Sequence, residues 1–314
     1  MTGGGLASPP VIDRRHVLLS GLALGACGRA PGRQGGDVVA AGQPAALLIW
    51  ALAPHRLAGW PRRPSPAALA FLGSTADLPE LGALNASARP ADLEAIAALK
   101  PRLILDYGDT EGAPAAALRQ AAARLGGDVH VLDGALARSP SVIREAAGLL
   151  GANAGALTEL AEDTLARWSR PSGGPSFYYA RGRDGLETGF SGSLATQVLE
   201  GHGWSNVATG GRATIGRVTA EQLNAWDPDI VVTLDRGFAS QASTQRLWRR
   251  RRNGAPRRLL LLPDLPFGWL DRPPSLNRLI GCAWLAGGNA AAAGVAQQLY
   301  RRPLPASLRP QWLV

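Results

Sequence analysis

Two kinds of apolar pattern alternate along the chain. In the first, a short run is wholly or almost wholly apolar: AALLIWALA (45–53), LIL (103–105), VHVL (129–132), SFYYA (176–180), IVV (230–232) and RLLLL (258–262). Such runs predict strands buried on both faces, as in a parallel sheet with helices on each side. In the second, apolar residues recur three or four apart. This spacing predicts a helix over 141–150, stopped at Gly151, and another over 156–168, with Leu157, Leu160, Ala161, Leu165 and Trp168 on one face. Pro171 and the Gly173-Gly174 pair end the second helix. A further helix is expected over 275–286.

One unit occurs twice. LEAIAALKPRLIL from Leu93 and AEQLNAWDPDIVV from Ala220 each read as a short amphipathic helix, a proline and an apolar strand. Glu94 aligns with Glu221, Ile96 with Leu223, and Pro101 with Pro228. One such unit in each half implies an α/β fold: two Rossmann-like lobes with mainly parallel sheets, joined by a single long backbone helix. The expected boundaries are 44–152 for the first lobe, 153–171 for the linking helix and 172–314 for the second lobe.

The N-terminus changes the picture. DRRHVLLSGLALGACG carries Arg14-Arg15, an apolar run from Val17 to Ala26 and then Cys27. The run is too short to span a bilayer and has the proportions of a signal-peptide core. Leu24-Gly25-Ala26-Cys27 reads as a lipoprotein signal box. Residues 1–27 are therefore expected to be a signal peptide ending at a lipidated Cys27, exported by the Sec or twin-arginine route. Residues 28–43 are expected to be a flexible tether, and the location periplasmic or at the extracytoplasmic membrane surface. Composition adds little beyond charge. The chain of 314 residues has a formal net charge of +9, and Lys100 is its one lysine. Two cysteines and four scattered histidines form no disulfide framework and no zinc pattern. No resident metal or cofactor is expected.

Taken in order, DLEAIAALKPRLIL, FYYARGRDGLETGFSGS, SNVA, VTAEQLNAWDPDIVV and PDLPFGWLDRPPSLNRLIG resemble the helical-backbone (class III) periplasmic substrate-binding proteins of ABC importers, in their iron-complex branch. The resemblance covers roughly the whole mature chain. It implies a monomeric, non-enzymatic protein that captures an iron complex, such as a ferric siderophore-like chelate, between its lobes and delivers it to a permease dimer. It also implies that one glutamate per lobe, here Glu94 and Glu221, docks on the permease. Both acids also suit a first helical turn. Cobalamin, haem or an oxyanion such as molybdate are the alternative ligands on the same fold.

Ligands of open α/β sheets lie beyond the carboxyl ends of the strands. That rule selects Arg56, Arg89, Tyr107, Arg181, Glu187, Ser191, Arg217, Trp269 and Arg272 as ligand-binding candidates. Guanidinium groups would grip carboxylates or oxyanions, and the two aromatics would stack on a ligand ring. An exported hydrolase using Glu187 and Asp271 as acid and base is the competing reading, without an evident nucleophile. The basic run WRRRR with Arg257-Arg258 resembles a nucleic-acid patch, but no nucleic-acid partner is expected of an exported protein. The run reads as a solvated helix end, with an anionic membrane surface as the alternative contact.

Overall fold

The computed structural model describes residues 36–85, 91–110, 113–210 and 214–313, together with Met1 and Gly3. The chain opens with β1 (Val38–Ala40), α1 (Gln43–Leu52), α2 (Pro66–Leu72), α3 (Leu93–Ala98), β2 (Leu103–Gly108), α4 (Ala113–Ala122) and β3 (Asp128–Asp133). Two helices follow, α5 (Ser139–Leu150) and α6 (Gly155–Trp168). The second half holds β4 (Ser176–Tyr179), β5 (Glu187–Gly189), α7 (Gln197–Glu200), β6 (Ser205–Asn206), β7 (Ile215–Arg217), α8 (Ala220–Trp226) and β8 (Ile230–Thr233). It ends with α9 (Arg236–Ala242), α10 (Arg246–Arg249), β9 (Arg258–Leu261), α11 (Arg278–Tyr300) and β10 (Gln311–Leu313).

The strands form two main sheets. The first, in the order β1-β2-β3, is parallel throughout, with Val39 opposite Ile104 and Ile104 opposite Val129. The second has the order β10-β9-β8-β4-β6. It is parallel except for β10, which runs antiparallel to β9. β5 and β7 make a separate antiparallel ribbon. The repeated unit is α3–β2 in one sheet and α8–β8 in the other. Asp92 caps α3 by accepting from the Ala95 amide, and Thr219 and Gln222 close a capping box on α8. α6 lies between the two halves and packs on α5 and α11. One buried apolar cluster runs from the first sheet through α1, α5, α6 and α11 to the second.

Two expectations fail here. AALLIWALA is α1, not a strand. Ala45 through Leu52 are all buried, so the run is apolar because the helix is covered on every side. Pro44 in its first turn suits a helix start. The tether expected over 28–43 also ends earlier, because Val38, Val39 and Ala40 form the buried strand β1. The helix expected over 275–286 begins at Arg278, runs to Tyr300 and breaks at Gly288, whose φ is 71°. By length and composition α11 would cross a membrane. Here Leu279, Ile280, Ala292, Ala296 and Leu299 are buried in the shared core.

Candidate ligand-binding site

The carboxyl ends of the strands in both sheets lead to one region. β2 runs into Asp109, β4 into Arg181, and β9 into the loop that carries Asp264, Phe267 and Arg272. Two cavities open there. One, of about 360 Å³, is lined by Asp109 from the first lobe and by Arg181, Ser193, Leu194, Ile215, Asp271 and Arg272 from the second. The other, of about 320 Å³, is lined by Gln43, Arg62, Arg63 and Ser65 from the first lobe and by Asp264, Phe267 and Arg272 from the second. Arg272 lines both.

A buried network fixes the loop that presents Arg272. The Tyr179 hydroxyl donates to Asp271 Oδ1 at 2.5 Å, and Arg181 Nη1 pairs with Asp271 Oδ2. Arg181 Nε also pairs with Glu187 at 3.0 Å, and its guanidinium lies 5.5 Å from the centre of the Tyr179 ring. Burial, reinforced by the Asp271 charge, pushes the Tyr179 hydroxyl well above its ordinary range. Burial disfavours the Arg181 charge, but Asp271, Tyr179 and Glu187 outweigh it and hold that group firmly protonated. Asp271 is therefore spent on Arg181. Arg272 has φ 66°, a left-handed conformation, and its side chain has no hydrogen bond or ion pair among the described residues. Glycines let neighbouring backbone close on this loop: a Cβ on Gly268 would lie 2.2 Å from the Asp271 carbonyl oxygen, and one on Gly281 would lie 2.3 Å from that of Trp269.

Beneath the loop, Arg278 is completely buried. It donates to the Gly134 carbonyl at 2.6 Å and to the Tyr107 hydroxyl at 3.4 Å, both in the first lobe. From the second lobe it reaches the Leu194 carbonyl at 3.3 Å, Gln197 Oε1 at 3.1 Å and the Ser275 carbonyl at 3.2 Å. All five partners are neutral. Ser275 adds a second link, donating to the Pro44 carbonyl at the start of α1 at 2.8 Å.

The structure separates the remaining candidates. Arg56 lies at the opposite end of the first sheet, pairing with Asp37 at 2.6 Å and donating to the Leu150 carbonyl. Because 45–53 is a helix rather than a strand, the residues after it fall away from the cleft. Tyr107 and Trp269 are each about 1% exposed and belong to the core, so neither offers a face for stacking. Arg217 is exposed, pairs with Asp184 at 2.5 Å and does not line either cavity. Ser191 donates to Glu200 at 2.6 Å on the surface. Glu187 and Asp271, the acid and base of the hydrolase reading, both pair with Arg181. Arg89 and Cys27 lie outside the described residues. Glu94 and Glu221 are exposed in the first turns of α3 and α8, the ends of these helices that face the cleft side of their sheets. Sequence reasoning missed Arg62 and Asp264. Both line the second cavity, and neither has a side-chain partner among the described residues. Asp109 is likewise unpartnered, so the lining mixes free guanidinium and free carboxylate groups.

No family model matches the chain, and no curated protein matches it in sequence. Solved structures do. An ABC transporter solute binding protein from Sulfurospirillum deleyianum aligns with a TM-score of 0.75 at 21% identity, over 86% of this chain and 91% of that one. The fold is that of the periplasmic solute-binding proteins. The molybdate periplasmic binding protein MolA of Haemophilus influenzae, bound to molybdate, aligns at a TM-score of 0.65 and 16% identity, covering 87% of this chain and 95% of its own. A periplasmic heme binding protein from Pseudomonas aeruginosa aligns at 0.58 and 22% identity, over 88% and 98%. In this solute-binding fold, the two cavities and Arg272 lie where the strand ends of both lobes converge.

Proposed function

We propose that this protein is the extracytoplasmic substrate-binding component of an ABC importer, and that it captures a metal chelate in the cleft around Arg272. The observation that carries the reading is Arg272 itself. Its guanidinium has no partner among the described residues, its backbone is left-handed, and it is shared by two cavities that both lobes line. A group placed this way can form charge-assisted, bidentate bonds to a carboxylate, catecholate or oxyanion. Arg62 adds a second donor. Asp109 and Asp264 suit hydroxyl or amine groups on the same ligand.

The described lining residues of the two cavities include no His, Tyr, Cys or Met. That set favours a ligand whose metal is already wrapped by its own chelator, as in a ferric siderophore-like complex, recognised at its periphery. A bare oxyanion is the second reading, supported by the likeness to the molybdate-bound structure. Each cavity is near the lower end of the roughly 300–1,000 Å³ usual for ligand pockets, which suits a compact chelate. Glu187 and Asp271, the acid and base of the hydrolase reading, are both held by Arg181.

Docking on a permease dimer through Glu94 and Glu221 belongs to the same reading, as do monomeric behaviour, export and a lipid anchor on Cys27. Native mass spectrometry of protein purified from its host identifies the ligand that travels with it. Substituting Glu94→Ala with Glu221→Ala should leave binding intact and abolish uptake. Retained uptake would remove the docking role.

A further inference from the structure

The sequence carries a basic run, RLWRRRRNGAPRR, that the cleft does not use. The structure sorts its arginines into two groups. Arg257 is fully buried and pairs with Asp227 at 2.8 Å, and Arg251 pairs with Asp229 and, at 3.5 Å, with Asp227. Those two arginines consume the local carboxylates. Arg246, Arg249 and Arg252 are exposed, and their side chains have no partner among the described residues. The Arg250 side chain donates to the Gly254 carbonyl, at 3.2 Å. Arg258 lies over the ring of Trp312, 3.9 Å from its centre. Trp312 is 44% exposed, one of three large apolar side chains that stand open to solvent among the described residues.

These groups cluster at one end of the second lobe. The Arg258 amide donates to the Asp229 carbonyl, the Arg252 amide to Asp227, and the Arg257 amide to the Arg249 carbonyl. All of them lie at the amino ends of β8 and β9, whereas the cleft lies at the carboxyl ends of the same strands. We propose that this end of the second lobe is a docking surface for an anionic lipid bilayer. Four or five uncompensated guanidinium groups supply the attraction to anionic headgroups. Trp312, apolar in body with a cation on its face, suits the headgroup boundary. The exposed indole is what favours a bilayer over duplex nucleic acid, whose non-specific binding needs the charge alone. Because the face is at the far end of the lobe, a protein resting on a membrane through it keeps its cleft open to ligand.

The test uses the full chain carrying Cys27→Ser, so that no attached lipid contributes. Co-sedimentation is measured at low salt with vesicles of phosphatidylcholine alone and of phosphatidylcholine mixed equally with phosphatidylglycerol. Binding is expected to the mixed vesicles only, and to weaken as salt is added. Replacing Arg246, Arg249, Arg250 and Arg252 together by Ser should lower the partition coefficient at least about tenfold. Trp312→Ser should also lower it, because the indole no longer sits at the headgroup boundary. Arg119→Ser with Arg124→Ser, exposed arginines of the first lobe, should leave it unchanged. No binding to the mixed vesicles, equal binding by the four-arginine variant, or capture of duplex DNA in place of vesicles would overturn the proposal. Ligand titration reads the cleft separately, so failure here leaves the binding function standing.

Discussion

Arg278 makes a quantitative prediction about how the lobes are held together. Replacing it with Met keeps much of the buried volume and removes all of its donors. Two acceptors have substitutes: the Ser275 carbonyl still accepts from the residue 278 amide at 3.1 Å, and Gln197 Oε1 still accepts from the Leu136 amide at 2.8 Å. The buried Gly134 carbonyl and the partly buried Leu194 carbonyl have no other donor among the described residues, so both lose their partner, Gly134 at the greater cost. Each orphaned group costs about 1–3 kcal/mol. No longer burying a guanidinium offsets part of that cost. The expected net loss is about 1–3 kcal/mol, which lowers Tm by roughly 2–5 °C for a chain of this size. Urea unfolding with a constant m value is the assay. Arg278→Lys should fall in between, because one ammonium group cannot serve both Gly134 and Leu194. A loss below about 1 kcal/mol for Arg278→Met would refute the reasoning, because it would mean that the neutral acceptors do not depend on the guanidinium.

Other outcomes follow from the same geometry. Gly281→Ala drives a methyl group against the Trp269 carbonyl oxygen; an over-packing cost of about 1–3 kcal/mol is expected by urea unfolding, together with weaker ligand binding as the Arg272 loop shifts. Leu48→Ala, in the fully buried middle of α1, should cost about 2–5 kcal/mol; a solvent-facing position would cost almost nothing. The Ser176 hydroxyl and amide, together with Arg251, hold the Asp229 carboxyl below its ordinary value of 3.8 despite partial burial. A lowered carboxylate stabilises the fold above its unfolded pKa, and that stabilisation is lost as pH falls through the folded value. Asp229→Asn should therefore flatten the fall in urea midpoint below about pH 3.8, and an unchanged acid limb would contradict the assignment.

The parts of the fold that were legible in the sequence are those in which local pattern and burial agree. α3–β2 and α8–β8 each combine a capped amphipathic turn, a proline and an apolar strand, so chemistry within a few residues decides the structure. AALLIWALA was not legible in this way, because a helix covered on all sides and a strand covered on both faces present the same unbroken apolar run. That one inversion displaced part of the site. Read as a strand, the segment aims Arg56 at the cleft. As helix α1 it carries Arg56 to the far end and brings Gln43 to the cavity instead. β1 and β10 have three residues each and are set by pairing with distant strands, which no local signal shows. Arg272 was legible because a loop after a buried strand is where a ligand group belongs. Arg62 was not, because the turn WPRRP reads as surface until the loop after β9 from the opposite lobe is placed beside it. Trp269 and Tyr107 sit beside the cleft in sequence yet face the core, a distinction that depends on which side of the loop is packed.

The central claim is that the cleft around Arg272 binds a ligand without transforming it. Tryptophan fluorescence titration of the purified protein against ferric siderophores, cobalamin, haem and molybdate tests it most directly, with Arg272→Ala and Arg217→Ala titrated in parallel. One compound is expected to bind stoichiometrically and be recovered unchanged. Arg272→Ala should weaken it at least about tenfold, the loss of one charge-assisted contact, while Arg217→Ala should leave it unaffected. Binding that is equal in the wild-type protein and Arg272→Ala, or a ligand recovered as a different product, would contradict the account.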